Sequence, residues 1–102
     1  MKMELLIITA VQSFKEDIKQ ILKSAGVKAY SQMDVTGSRD LHESQGANWF
    51  ASDGGEHKSV LFYAFAQGKY VDEALNAIEE LNRNQETHSY VHAAVLEIRK
   101  SV

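Results

Sequence analysis

Two apolar periodicities alternate along the chain in a simple order. Residues 5–11 (LLIITAV) form an unbroken apolar run of strand length, rich in β-branched side chains and closed by Gln12 and Ser13. Continuous rather than alternating apolarity predicts that both faces of this strand are covered. Phe14, Ile18, Ile21, Leu22 and Ala25 then recur at helical spacing, with Lys15, Glu16, Lys19 and Lys23 on the outward side. Ser13 followed by Glu16 has the spacing of a capping box, and Gly26 stands where a left-handed C-terminal cap is expected. Residues 27–36 predict a second strand, alternating Ala29, Ser31, Met33 and Val35 with Tyr30, Gln32, Asp34 and Thr36, and Gly37 is expected to break it. Residues 59–66 (SVLFYAFA) predict a third strand, again apolar on both faces. Gln67, Gly68 and Lys69 lead into a second helix whose buried stripe is Val71, Ala74, Leu75, Ile78 and Leu81. A polar turn over residues 82–87 precedes a last strand over 89–99.

The order β-α-β-β-α-β predicts a single α+β domain over residues 1–102, a ferredoxin-like sandwich with a four-stranded antiparallel sheet and two helices on one face. Two helices cover only one side of such a sheet. The strands are nevertheless apolar on both sides, so the second face would be a large exposed apolar patch if it stayed wet. Oligomerisation through that face is the simplest remedy, and a long loop folded back over it is the alternative. Such a loop exists: residues 38–58 (SRDLHESQGANWFASDGGEHK) show no periodicity, and a stretch of this length in so small a domain is usually functional or disordered.

Composition narrows the function classes. The 102 residues include no cysteine, which excludes disulfides, zinc–thiolate sites and a cysteine nucleophile and suits a cytoplasmic setting. A net charge of −3 argues against a nucleic-acid binder, which would carry a basic stripe. No apolar run reaches the roughly 20 residues needed to cross a bilayer, so no direct membrane insertion is expected. The N-terminal run is interrupted by Glu4 and lacks a cleavage-site pattern; it is read as a strand rather than a signal sequence.

Enzyme signatures are missing. There is no nucleophile elbow, no P-loop, no His-Glu-x-x-His and no pair of placed carboxylates, so the chain is not expected to be an enzyme. Asp34 is read as partly exposed or paired at a strand edge. Metal binding has more material. Histidines stand at 42, 57, 88 and 92, the first two in the long loop beside Asp40, Glu43, Asp53 and Glu56. Imidazole and carboxylate donors suit zinc, copper or nickel, and His42, Glu43, His57 and His92 are the candidate ligands. His88 and His92 cannot chelate one ion from a straight strand, since four residues span roughly 13 Å. Asn48, Trp49 and Phe50 place two adjacent aromatics in a polar loop; they are either a partner-binding hot spot or a plug over the domain's own core.

Several of these segments resemble the PII signalling family and its PII-like relatives. Residues 7–15 (IITAVQSFK) resemble the family's opening strand with its Phe-Lys entry into the first helix. Residues 33–39 (MDVTGSR) resemble the second strand, where a Val-x-Gly stretch and a nearby Arg lead into the long T-loop. Residues 70–78 (YVDEALNAI) resemble the second helix. The resemblance covers nearly the whole chain and implies a homotrimer whose sheets line a central barrel. It implies that residues 38–58 are a T-loop, docking on a protein partner, a membrane transporter, under control of an effector bound at subunit clefts. Thr36, Gly37, Ser38 and Arg39, with Arg99 and Lys100, are then the effector- or anion-binding candidates. The effector is left open between an adenine nucleotide and a divalent transition metal, the latter as in the trimeric cation-tolerance proteins of the same fold. One segment departs from the family pattern. The phosphate cradle between the second helix and the last strand is Gly-rich in PII proteins, whereas residues 82–88 (NRNQETH) contain no glycine. Backbone amides there cannot close on a phosphate without strained geometry. The family's modified tyrosine also has no counterpart in the loop.

Overall fold

Four antiparallel strands form one sheet in the computed structural model, which describes residues 2–39, 55–86 and 89–102. The elements are β1 (Met3–Val11), a 3₁₀ turn (Gln12–Phe14), α1 (Lys15–Ala25), β2 (Ser31–Arg39), β3 (Gly55–Gln67), α2 (Gly68–Asn84) and β4 (His92–Glu97). The sheet order is β2-β3-β1-β4. This is the expected ferredoxin-like arrangement.

Strand pairing sorts the side chains into two faces. Leu6 pairs with Ala64 and Val95, and Ile8 with Phe62 and Ala93; these rows lie under the helices. Ile18 and Leu22 of α1 and Val71, Ala74 and Ile78 of α2 close over them, and all belong to one buried cluster. Phe62, Leu6 and Ile8 are at most 1% exposed, and each side chain so buried contributes about 1.5–3 kcal/mol. The alternate rows, Leu5 with Phe65 and Leu96 and Ile7 with Tyr63 and Ala94, form the other face. Among the described residues no helix covers that side, and Phe65, Met33, Leu96 and Met3 are exposed there.

The ends of α1 differ from expectation at one terminus and match it at the other. Ser13 and Glu16 do not form a capping box: Ser13 lies inside the 3₁₀ turn, Phe14 holds the N-cap position, and no side chain caps it. The tighter turn takes over the chain entry that the box would have made. At the C-terminus Gly26 adopts φ 92°, its N–H donates to the Lys23 carbonyl at 3.2 Å, and Val27 N–H donates to Leu22 O at 2.9 Å. This is a Schellman cap, with Val27 and Leu22 both buried beside it. A Cβ on Gly26 would also lie 2.9 Å from Tyr70 Cδ1, so the glycine lets α2 approach the end of α1.

Boundaries moved at the central hairpin. Gly37 does not end the second strand; it pairs with His57 inside the ladder, and pairing continues through Ser38–Glu56 to Arg39–Gly55. Residues 38–39 and 55–58, expected in the loop, are therefore strand, and residues 40–54 lie outside the described residues. The second strand starts later than expected, at Ser31, because residues 27–30 are drawn into the cap and the turn behind it. β4 is shorter than expected at both ends, and α2 runs three residues into the polar stretch expected as a turn.

Candidate functional site

The root of the central hairpin carries the first set of candidate residues. Thr36 and Ser38 are exposed on β2, paired with Lys58 and Glu56, while Gly37 between them is buried against His57. Arg39 is the last residue of β2. A polar hollow of about 240 Å³ opens beside them, lined by Gln12, Asp34, Val35, Thr36 and Lys58. Asp34 is exposed and meets the Lys15 ammonium at 3.8 Å, so it is a paired edge acid rather than a buried one. Gln12 closes the inner wall by donating from Nε2 to Ser59 O at 3.3 Å.

Arg99 and Lys100, the second set, are exposed beyond β4. They do not join the first set within one chain. Glu97 pairs with Glu4, which pairs with Ala66, whereas Ser38 pairs with Glu56. From Glu56 to Ala66 the strand rises roughly 33 Å. The two basic elements therefore stand at opposite ends of the sheet.

The metal candidates are dispersed in the same way. His57 lies on β3 rather than in the loop, and His92 opens β4; both are partly buried and both belong to the rows of the open face. His92 pairs with Thr9, which pairs with Leu61, so the histidines are four residues apart along the sheet, roughly 13 Å, with β1 between their strands. Among the described residues no three histidine, aspartate or glutamate side chains gather around one point. His42 and Glu43, and the aromatic candidates Asn48, Trp49 and Phe50, lie outside the described residues.

Two features escaped the sequence reading. Asn82, assigned there to a polar turn, is helical, and its amide grips the backbone of Val91. Nδ2 donates to Val91 O at 2.8 Å, and Val91 N–H donates to Oδ1 at 2.9 Å. One side chain thus pairs with the chain entering β4 as a neighbouring strand would. Helical backbone over residues 82–84 also removes that stretch as a phosphate cradle, in line with its lack of glycine. An Asn late in a helix before a strand is the available signal. The second feature is a hollow of about 510 Å³ along α1 and the turn that follows it. Glu16, Lys19, Gln20, Lys23, Lys28 and Tyr30 provide its side chains. The i, i+4 spacing of Lys19 and Lys23, with Lys28 just past the cap, is its signature; Lys19 and Lys23 read only as the outward side of the helix.

No protein-family model matches the sequence, and no curated protein matches it. Solved structures do. The structure of CPII, a nitrogen regulatory PII-like protein from Thiomonas intermedia K12 bound to ADP, AMP and bicarbonate, aligns with a TM-score of 0.64 at 16% identity. That alignment covers 100% of this chain and 98% of that one. GlnK of B. subtilis gives 0.71 at 15% identity over 97% and 87% of the two chains. A DUF3240-family protein from Shewanella baltica OS155 gives 0.68 at 16% identity over 100% and 96%. At this identity the shared property is the fold. End to end, this chain has the fold of the PII-like proteins.

Proposed function

We propose that this chain is a PII-like signalling regulator, not an enzyme, that acts in the cytoplasm as a homotrimer. In this reading it binds a small effector at subunit clefts and controls a protein partner, a membrane transporter, through the connection between β2 and β3. The observation that carries the reading is the separation of its basic elements. Thr36–Arg39 and Arg99–Lys100 stand at opposite ends of one sheet, so a cleft containing both requires two chains. The exposed Phe65, Met33 and Leu96 of the face opposite the helices supply the surface through which copies would join. Nucleotide is the favoured effector class, supported by the ADP and AMP held by the CPII structure of the same fold. With no glycine in residues 82–88, the phosphates would rest on Arg39, Arg99 and Lys100 rather than on a backbone cradle. Among the described residues no helix is long and apolar enough to cross a membrane, so contact with a transporter would be made by docking.

Mass measurement in solution combined with calorimetric titration of ADP, AMP and ATP tests the proposal. A trimer binding one nucleotide per chain, weakened by Arg39→Ala and by Arg99→Ala, is the expected result. A monomer that ignores nucleotides would remove it. Stoichiometric zinc or copper binding by a nucleotide-silent trimer, lost in His42→Ala/His57→Ala, would replace it with the metal-responsive alternative.

A further inference from the structure

We infer that the hollow beside α1 is a second binding site, for a small multivalent oxyanion, separate from the effector cleft proposed above. Three ammonium groups from two elements line it. Lys19 and Lys23 lie one turn apart on α1, and Lys28 comes from the turn after the Gly26 cap. The only acid in the lining is Glu16, which pairs with Lys19 at 3.6 Å. Among the described residues neither Lys23 nor Lys28 forms an ion pair. A chain of net charge −3 therefore turns a locally positive concavity to solvent.

The shape favours a small molecule over an extended partner. A volume of about 510 Å³ falls within the range of roughly 300–1,000 Å³ usual for small-molecule sites. Tyr30 forms an apolar wall: its ring is held against Phe62 at 5.7 Å between centroids, leaving the side chain partly exposed to the hollow. Gln20 and the Tyr30 hydroxyl add neutral donors. A monovalent anion could satisfy one lysine; engaging three requires at least two negative groups. The negative end of the α1 dipole opposes an anion here, at about half a charge. Gly26 and Val27 N–H groups already occupy the carbonyls of Lys23 and Leu22, and the three lysines outweigh what remains. Because the hollow lies on the helical side, assembly through the open sheet face leaves it accessible. Ser31, the residue after Tyr30, is seven residues along β2 from Ser38, roughly 23 Å, so the hollow is set apart from the hairpin root.

The test is an NMR titration of the ¹⁵N-labelled full chain with inorganic pyrophosphate and, separately, with citrate. Saturable shifts centred on Lys19, Lys23, Lys28 and Tyr30, at one equivalent per chain, are expected for at least one probe; which probe binds distinguishes a phosphorylated ligand from a polycarboxylate. Lys23→Gln/Lys28→Gln should weaken binding about tenfold, while the charge-matched Lys2→Gln/Lys69→Gln leaves it unchanged. Equal weakening by both variants would reduce the effect to general electrostatics and overturn the site. So would shifts that fail to saturate, or shifts centred on Arg99 and Lys100, which would instead belong to the effector cleft.

Discussion

The two faces of the sheet are built from the same kinds of residue and meet opposite fates. Under the helices, Phe62 and Val60 are fully buried in a continuous core. On the same strand their neighbours Tyr63 and Leu61 are only partly covered, and Phe65, three residues beyond Phe62, stands 55% exposed. Among the described residues the helical layer covers one face and leaves Phe65, Met33 and Leu96 of the other exposed. Apolarity in a strand therefore reports that a face is to be covered, not by what.

Substitutions on each side make that contrast measurable. Phe62→Ala removes the largest fully buried side chain among the described residues and should cost about 3–5 kcal/mol in chemical denaturation. Asn82→Ala tests the layer's attachment to β4. It leaves the Val91 N–H and carbonyl without the Asn82 amide, for a loss of about 1–3 kcal/mol and faster amide exchange around Val91. Gly26→Ala forces a side chain into φ 92° and onto the Tyr70 ring, costing about 1–2 kcal/mol by thermal melting. Across the sheet, Phe65→Ser should change the stability of the chain itself by less than about 1 kcal/mol. Its effect should appear in the mass measured in solution, which drops to that of a monomer. An unchanged mass would show that the open face is not where copies meet.

The smallest effect belongs to the outer surface of α2. Arg83 donates to Glu80 at 2.6 Å and Asn84 donates at 3.4 Å; these bonds, with the Arg83 charge, hold the Glu80 carboxyl below its ordinary value. A lowered folded-state value means this contribution is present above the ordinary carboxylate range and is lost as pH falls through the lowered value. Arg83→Gln should return the Glu80 titration upward, read by carboxyl NMR, with almost no change in melting at neutral pH.

Periodicity located the secondary structure well because the core-facing residues carry it: Leu6, Ile8, Phe62, Val71 and Ile78 are all where their spacing put them. It failed where backbone pairing proceeds without apolar side chains. Gly37, Ser38 and Gly55 extend the central hairpin through hydrogen bonds, which leave no mark on a hydropathy pattern. The candidate site was legible as residue types but not as an arrangement. Nothing in the positions of Arg39 and Arg99 along the chain says that they occupy opposite ends of a sheet. Pairing register supplies that information, and register is a property of the fold.

β3 also has a mechanical consequence. Its 13 residues extend about 43 Å, comparable to the 43 Å length of the molecule. One end receives the 40–54 connection and the other runs straight into α2. A pull on that connection passes along β3 and is resisted by the nine paired positions between Met3 and Val11 of β1, loaded parallel to the strands. In that geometry the hydrogen bonds share the load instead of opening one after another. A partner gripping the connection would hold the body of the domain as if by a stiff handle.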